Sequence, residues 1–200
     1  MKLITLTLLL ISTITFSQVP KNLLTTETEF STLLLDVINN YRQENGLLPL
    51  KLDSNMTSAC EHHCEYLSIY DEGGHFETTR DSIHLIENIV SPESRAERFG
   101  AKLGAGGMIA ENCLNAGPMI FKDPAKQKVG DLWIKNIKDG VVDPKLAAQC
   151  VLNYWIESPG HNSKLLKKEA TFCGVYQKVY INKNGRYRIS STLLLTNRVN

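Results

Sequence analysis

Tyr154-Trp155-Ile156-Glu157-Ser158-Pro159-Gly160-His161-Asn162-Ser163-Lys164-Leu165-Leu166 is the stretch on which the fold depends. A helical run feeds it, Pro159-Gly160 stops that run, and His161 follows at once. Proline cannot continue a helix and glycine adopts the left-handed conformation at little cost, so the spacing predicts a turn at this point. An imidazole delivered on a forced turn, just after a tryptophan and a carboxylate, has two readings. It is either the end of a helix with a surface histidine or one wall of a site, and the flanking sequence has to decide.

Upstream, Lys145 to Ser158 carries a helical stripe of Leu146, Ala147, Cys150, Val151, Tyr154 and Trp155. Asn162 or Ser163 can open a brief helical turn through Leu166. Downstream the pattern changes to strand. Phe172 to Tyr176 is short and apolar, Asn184-Gly185 is a hairpin signal after Lys178–Asn182, and Tyr187 to Leu195 returns. Helices followed by a hairpin predict an α+β layered domain.

Toward the N-terminus, residues 29–45 place Leu33, Leu34, Val37, Ile38 and Tyr41 at helical intervals, and Asn45-Gly46 ends the run. Leu47 to Leu52 is a short apolar connection. Asp53 or Ser54 then caps a second helix to about Ile69, with Met56, Ala59, Cys60, His63, Cys64 and Leu67 on one face. Cys60, His63 and Cys64 have metal-ligand chemistry, but they continue an apolar stripe and lack a fourth ligand. Burial is therefore the preferred reading, with His62 off that face and exposed. Asp71-Glu72-Gly73-Gly74 turns the chain and delivers His75, a second histidine straight after glycine. Ser91-Pro92-Glu93-Ser94 starts a short helix from Arg95 to Leu103, ended by Gly100, Gly104, Gly106 and Gly107. Met108 to Cys113 reads as an extended or tightly packed segment and sets Glu111 among apolar neighbours, where a lone charge needs partners. Residues 117–144 read as a loop with a short helix around Leu132-Trp133-Ile134.

The chain has 200 residues, 42% of them hydrophobic, and a formal charge of +1. That is enough to bury one core, with no general positive excess for nucleic acid or an anionic membrane. Residues 1–17 read as an export signal: Lys2, an apolar run from Leu3 to Phe16, and small Thr15 and Ser17 before a cleavage expected between Ser17 and Gln18. The run is short for a membrane helix, no later stretch is long enough for one, and no cysteine follows it for lipid attachment. Residues 18–28 form a loose lead-in. The mature chain is thus expected outside the cytoplasm. The five cysteines, Cys60, Cys64, Cys113, Cys150 and Cys173, allow disulfides in such a compartment. Bridging Cys60 to Cys64 within a helix would be strained, so a bridge from one of them to a distant cysteine is the preferred pairing. Buried free thiols are the equal alternative.

Several short motifs, taken in order, resemble the CAP superfamily of cysteine-rich secretory, antigen 5 and pathogenesis-related 1 proteins, also called SCP-like domains. They are Ile38-Asn39-Asn40-Tyr41-Arg42, Glu44-Asn45-Gly46-Leu47, Pro49-Leu50, Leu52-Asp53, Gly74-His75, Ala110-Glu111-Asn112, Trp155, Ser158-Pro159-Gly160-His161 and Gly174-Val175. The match spans about residues 31–196 apart from an insertion at about 118–143, and it makes 29–200 one domain. The resemblance implies a three-layer α-β-α sandwich with a small antiparallel sheet. It also implies a cleft with two histidines and two acids that in some members holds zinc or another divalent ion. By motif position these are His75, Glu111 and His161. The second acid's position holds Ser158, with Glu157 one residue earlier, about 100° around a helix. His84 and Glu87-Asn88 imitate the Glu-Asn motif, but Glu111 stands in the usual place between the glycine-rich turn and the last helix.

Two neutral imidazoles, His75 and His161, suit zinc, and a carboxylate can orient one of them. No G-x-S-x-G motif is present, and Cys113 lacks an assigned base. The expected function is a secreted, non-enzymatic domain whose His/Glu-lined cleft takes a divalent ion, a small ligand, or both. The alternatives are a metal-assisted hydrolase of peptidase type at the same cleft and a lipid- or sterol-binding module. Trp133 and Ile134 of the insertion either shape a groove or fill a satellite core. A protein or lipid partner is the other expectation for the cleft.

Overall fold

Capping chemistry sets where the helices begin. In a computed structural model that describes residues 27–77, 90–103, 107–117, 119–138 and 143–198, α1 spans Glu27–Glu44 and α2 spans Ser54–Tyr70. Asp53 caps α2 by accepting from the Met56 amide at 2.8 Å. Ser91 forms a capping box with Ser94, with Pro92 behind it, to open α3 (Pro92–Arg98). Asp143 and Pro144 do the same for α5 (Pro144–Glu157), where the Asp143 carboxylate accepts from Lys145 and Leu146. Residues 1–26, including the expected signal, lie outside the described residues, as do His84 and Glu87.

The strands are β1 (Lys51–Leu52), β2 (Ile109–Ala116), β3 (Phe172–Ile181) and β4 (Tyr187–Thr196), in the order β1-β3-β4-β2. The β3–β4 hairpin and the β2–β4 pair are antiparallel, as expected. The two-residue β1 departs from this by pairing parallel with β3. Side chains alternate across the sheet. Ile189, Leu193 and Leu195 face α1 and α5 in one core, and Leu194 faces Met56, Ala59 and Cys60 of α2 in the other. The result is the expected α-β-α layering.

Three local expectations are corrected. The 118–143 insertion is mostly one helix, α4 (Pro124–Lys138), and Trp133 is 2% exposed within the main core rather than in a satellite. Tyr154 leaves the inner stripe of α5 and is 39% exposed. The turn after α5 is made by extended Ser158 (φ −92°, ψ 114°), while α6 starts at once as Pro159–Leu165 and Gly160 stays out of the left-handed region. The physical reason is that Pro159, having no N–H to lose, opens a helix as readily as it ends one. All five cysteines are buried and free, so the expected distant bridge is absent and the thiols pack as small apolar groups. Among the described residues, no helix is long and apolar enough to cross a membrane.

Gly174 permits the close approach of α2 to the sheet, because a Cβ there would lie 2.2 Å from the Met56 carbonyl carbon and oxygen. Backbone cannot step aside as a flexible side chain can. Gly174→Ala is therefore expected to lower stability by about 1–3 kcal/mol, the usual cost of overpacking. Urea unfolding of both proteins measures this, and an unchanged midpoint would refute the contact.

Candidate functional site

Strand β2 lies at the edge of the sheet and points alternate residues to opposite faces, which puts Glu111 toward α2 and α3. The Glu111 side chain is 1% exposed, so its charge has to be met in place. Arg95 of α3, itself fully buried, donates to Oε2. His75, on the turn after α2, lies with Nδ1 2.9 Å from Oε1. Despite the cost of burial, the hydrogen bond from His75 and the charge of Arg95 hold the Glu111 carboxyl below its ordinary range. With that carboxylate ionised, Nδ1 is the nitrogen that carries a proton, and Nε2 has no hydrogen-bond partner among the described residues. The His75 side chain is 35% exposed.

A second carboxylate stands behind the first. Glu77 accepts from His63 Nδ1 at 2.8 Å and His62 Nε2 at 3.1 Å, and Arg95 Nη1 is 3.4 Å away. These partners outweigh burial and bring the Glu77 pKa down to about 2. His62 is thus half-buried and paired, not exposed as its helical position suggested. His63 is fully buried, as expected, and its Nε2 faces the Gly74 carbonyl at 2.9 Å. Both its ring nitrogens thus meet oxygens, and the two buried carboxylates are met by the His63 ring and the Arg95 guanidinium.

His161 approaches the same strand from the other side. It lies in the first turn of α6, its carbonyl accepts from Asn112 Nδ2 at 3.0 Å, and its ring stacks obliquely on Tyr154 at 6.1 Å between centroids. Burial, then the charges of Lys164 and His75, lowers its pKa and keeps the imidazole neutral. Its buried Nδ1 has no partner among the described residues. One turn on, Lys164 Nζ donates to the Glu111 carbonyl at 2.8 Å. A cleft of about 330 Å³ opens nearby, lined by His75, Glu93, Glu111, Lys164 and Lys167 together with Phe76, Pro92 and Ile109; His161 stands beside it and is not among its lining residues.

Sequence-level candidates divide accordingly. His75 and Glu111 are joined directly, and His161 stands close enough to feel the charge of His75. Glu157 turns to α4, where its carboxylate lies 3.9 Å from Lys126 Nζ. Ser158 serves as the joint between α5 and α6, its side chain making no capping bond. Arg95, Glu77 and Lys164 went unnoticed in the sequence, since a charged residue in a short helix or loop reads as solvent-facing.

His63, Glu111 and Cys113 offer ligand atoms within 4.8 Å of one another, a group able to hold a metal ion. His63 fits that role poorly, because both its nitrogens are already committed to oxygens. His75 and His161 fit better: one is oriented by a carboxylate, and the other is neutral with an unmatched buried nitrogen.

A depressed carboxyl pKa contributes stability that is complete above the unfolded value, about 4.5, and is lost as pH falls toward the folded one. For Glu77 that window runs from pH about 4.5 down to about 2. The stability of the wild type is expected to fall steeply there in acid titrations with urea unfolding. Glu77→Gln should be less stable at neutral pH and show a shallower acid slope. Parallel curves for the two proteins would show that the network does not govern acid unfolding.

The cysteine-rich secretory protein family (CAP) model matches residues 35–192. A search of curated proteins gives no significant match. Among solved structures, an extracellular protein of Bacillus anthracis containing an SCP domain aligns over 90% of this chain at 17% identity and a TM-score of 0.57. This chain covers 44% of that protein's length. An outer surface protein of Borrelia burgdorferi aligns over 86% of this chain and 95% of its own, at 13% identity and a TM-score of 0.54. At such identities the structures bear on the fold alone. The family match extends over most of the sequence and over every strand and helix that builds the cleft, and the chain belongs to the cysteine-rich secretory protein (CAP) family.

Proposed function

We propose that this is an exported, non-enzymatic binding domain whose cleft holds a divalent cation between His75 and His161. The supporting observation is the contrast between the two rings. His75 has Nδ1 fixed on Glu111, which leaves Nε2 as the nitrogen a cation would take from the neutral form of the ring, and burial favours the neutral form of His161 beside it. Zinc, when bound by such a pair, supplies Lewis acidity and open positions for a ligand atom. Glu111 orients His75, and Arg95 and the His63–Glu77 pair fix Glu111. Lys164 holds the Glu111 carbonyl of the strand. The export reading draws on the expected signal at residues 1–17 and on relatives described as extracellular or outer-surface proteins.

Calorimetric titration with zinc is expected to give a micromolar or tighter site in the wild type, lost in the His75→Ala/His161→Ala variant. Retention of the site in that variant, with loss in His63→Gln, would move the metal to the buried His63–Glu111–Cys113 group instead. Equal weak binding by all three proteins would end the metal reading.

A further inference from the structure

Strand β1 leaves the sheet after two residues, because Asp53 turns away to cap α2. Lys51 and Asp53 donate to the carbonyls of Thr171 and Cys173 at 2.9 and 2.8 Å, which fixes the phase of β3. Residues two apart in a strand turn their backbone groups to the same edge. Val175 and Gln177 therefore aim their N–H and carbonyl groups where β1 no longer runs. Among the described residues, no strand stands beside them. They are nonetheless 1% and 0% exposed, and buried backbone groups are almost always paired. The Gln177 side-chain Nε2 is buried as well, with no partner among the described residues.

A second cavity, of about 290 Å³, opens at this edge between α1 and α2. Leu35, Leu52 and Val175 give it apolar walls, and Leu52 is 55% exposed. Glu61 of α2 is the one charged side chain in its lining and makes no ion pair among the described residues. Ser31 and Thr32 of α1 also line it, and α1 begins at Glu27. At 1.5 Å per residue the cavity lies within about 8 Å of the start of that helix.

The chain itself can supply the occupant. Residues 18–26, Gln18-Val19-Pro20-Lys21-Asn22-Leu23-Leu24-Thr25-Thr26, enter α1 directly and reach about 30 Å when extended. Lys21 is the only charge among them and complements Glu61. Tethered at the mouth of the cavity, this segment competes at an effective concentration on the order of millimolar, ahead of a free peptide. We infer that residues 18–26 bind in this groove as an added strand on Val175 and Gln177. Side chains alternate in a strand, so Lys21 on Glu61 puts Leu23 on the α2 side as well and Leu24 against Leu35 of α1. The added strand closes from within the chain an edge that another molecule's strand could otherwise join. The inference is independent of the metal reading.

Limited trypsin digestion and amide hydrogen exchange, on the protein from Gln18 onward, test this. Lys21 is the one trypsin site before α1. Its cleavage in the wild type is expected to be about tenfold slower than in Leu23→Asp/Leu24→Asp, the worth of burying one leucine. Leu52→Asp, at an exposed position across the groove, should speed cleavage similarly. Combining it with the leucine pair should add little, since the shared contact is already lost. The Val175 and Gln177 amides should exchange faster in each variant. Glu61→Lys should speed their exchange too, and Lys21→Glu in the same chain should restore it, which a damaged fold would not allow. Equal cleavage at Lys21 in the wild type and the leucine variant would overturn the proposal, as would amide protection untouched by those substitutions. Protection that rises with protein concentration would overturn it in favour of a second copy of this chain on the same edge.

Discussion

A carboxylate on a sheet edge, almost fully withdrawn from water, is the constraint that organises this molecule. Glu111 cannot stay ionised there without partners, and it cannot be reached except by elements packed on the α2 side of the sheet. Arg95 meets it from α3, and the turn after α2 delivers His75. Arg95 in turn donates to the His75 carbonyl at 3.1 Å, so one guanidinium fixes both the carboxylate and the backbone of the histidine that the carboxylate orients. Its planar fork makes both contacts at once, which a lysine's point charge would not reproduce. Orientation of the cleft histidine is thus inherited from a buried ion pair.

The other half of the cleft depends on α1, far away in sequence. Ile38 is buried in the core, while Asn39 exchanges two hydrogen bonds with the Leu50 backbone and so pins the connection into β1. Tyr41 donates to Asn162 at 2.9 Å. Arg42, fully buried, donates to the carbonyl of Leu165 at the end of α6, to those of Lys167 and Ala170 in the segment that follows, and to that of Leu48. The Leu165 carbonyl sits where a helix leaves acceptors unmatched. No carboxylate is needed, because several oriented carbonyls together satisfy the cation. The clamp fixes α6 at its C-terminal end, and with it the positions of His161 and Lys164.

The sequence made the layers and the two histidines legible, because periodicity, capping and the hairpin signal are local properties. Asp53, Ser91 and Asn184-Gly185 each act within four residues of themselves. What stayed hidden was nonlocal. Nothing in Pro92-Glu93-Ser94-Arg95 distinguishes a buried arginine from a solvated one until β2 places Glu111 beneath it. His62 looked exposed because helical phase alone was considered, whereas its position is decided by Glu77, which arrives from the loop after α2. The Pro159-Gly160 pair was ambiguous for a different reason: proline both ends helices and begins them, and here the second use prevails. Trp133 was misplaced because an insertion with many prolines and glycines gives weak periodicity even where it folds as a helix against α5.

Cys113 is not set up to act as a thiol nucleophile. Its thiol lies 3.4 Å from His75 Nδ1, a distance at which a nucleophile and its base would stand. The proton arrangement is wrong for that role. Nδ1 already carries the hydrogen it gives to Glu111, so it has no lone pair with which to accept from the thiol. The thiol instead donates to the Gly74 carbonyl at 3.1 Å. Burial, reinforced by the Glu111 charge, pushes its pKa up to about 12, far from the range in which a thiolate forms at neutral pH. Reversing this arrangement would require moving the proton from Nδ1 to Nε2, which breaks the bond that holds Glu111 and His75 together. The interaction that orients His75 therefore makes it a poor base for Cys113.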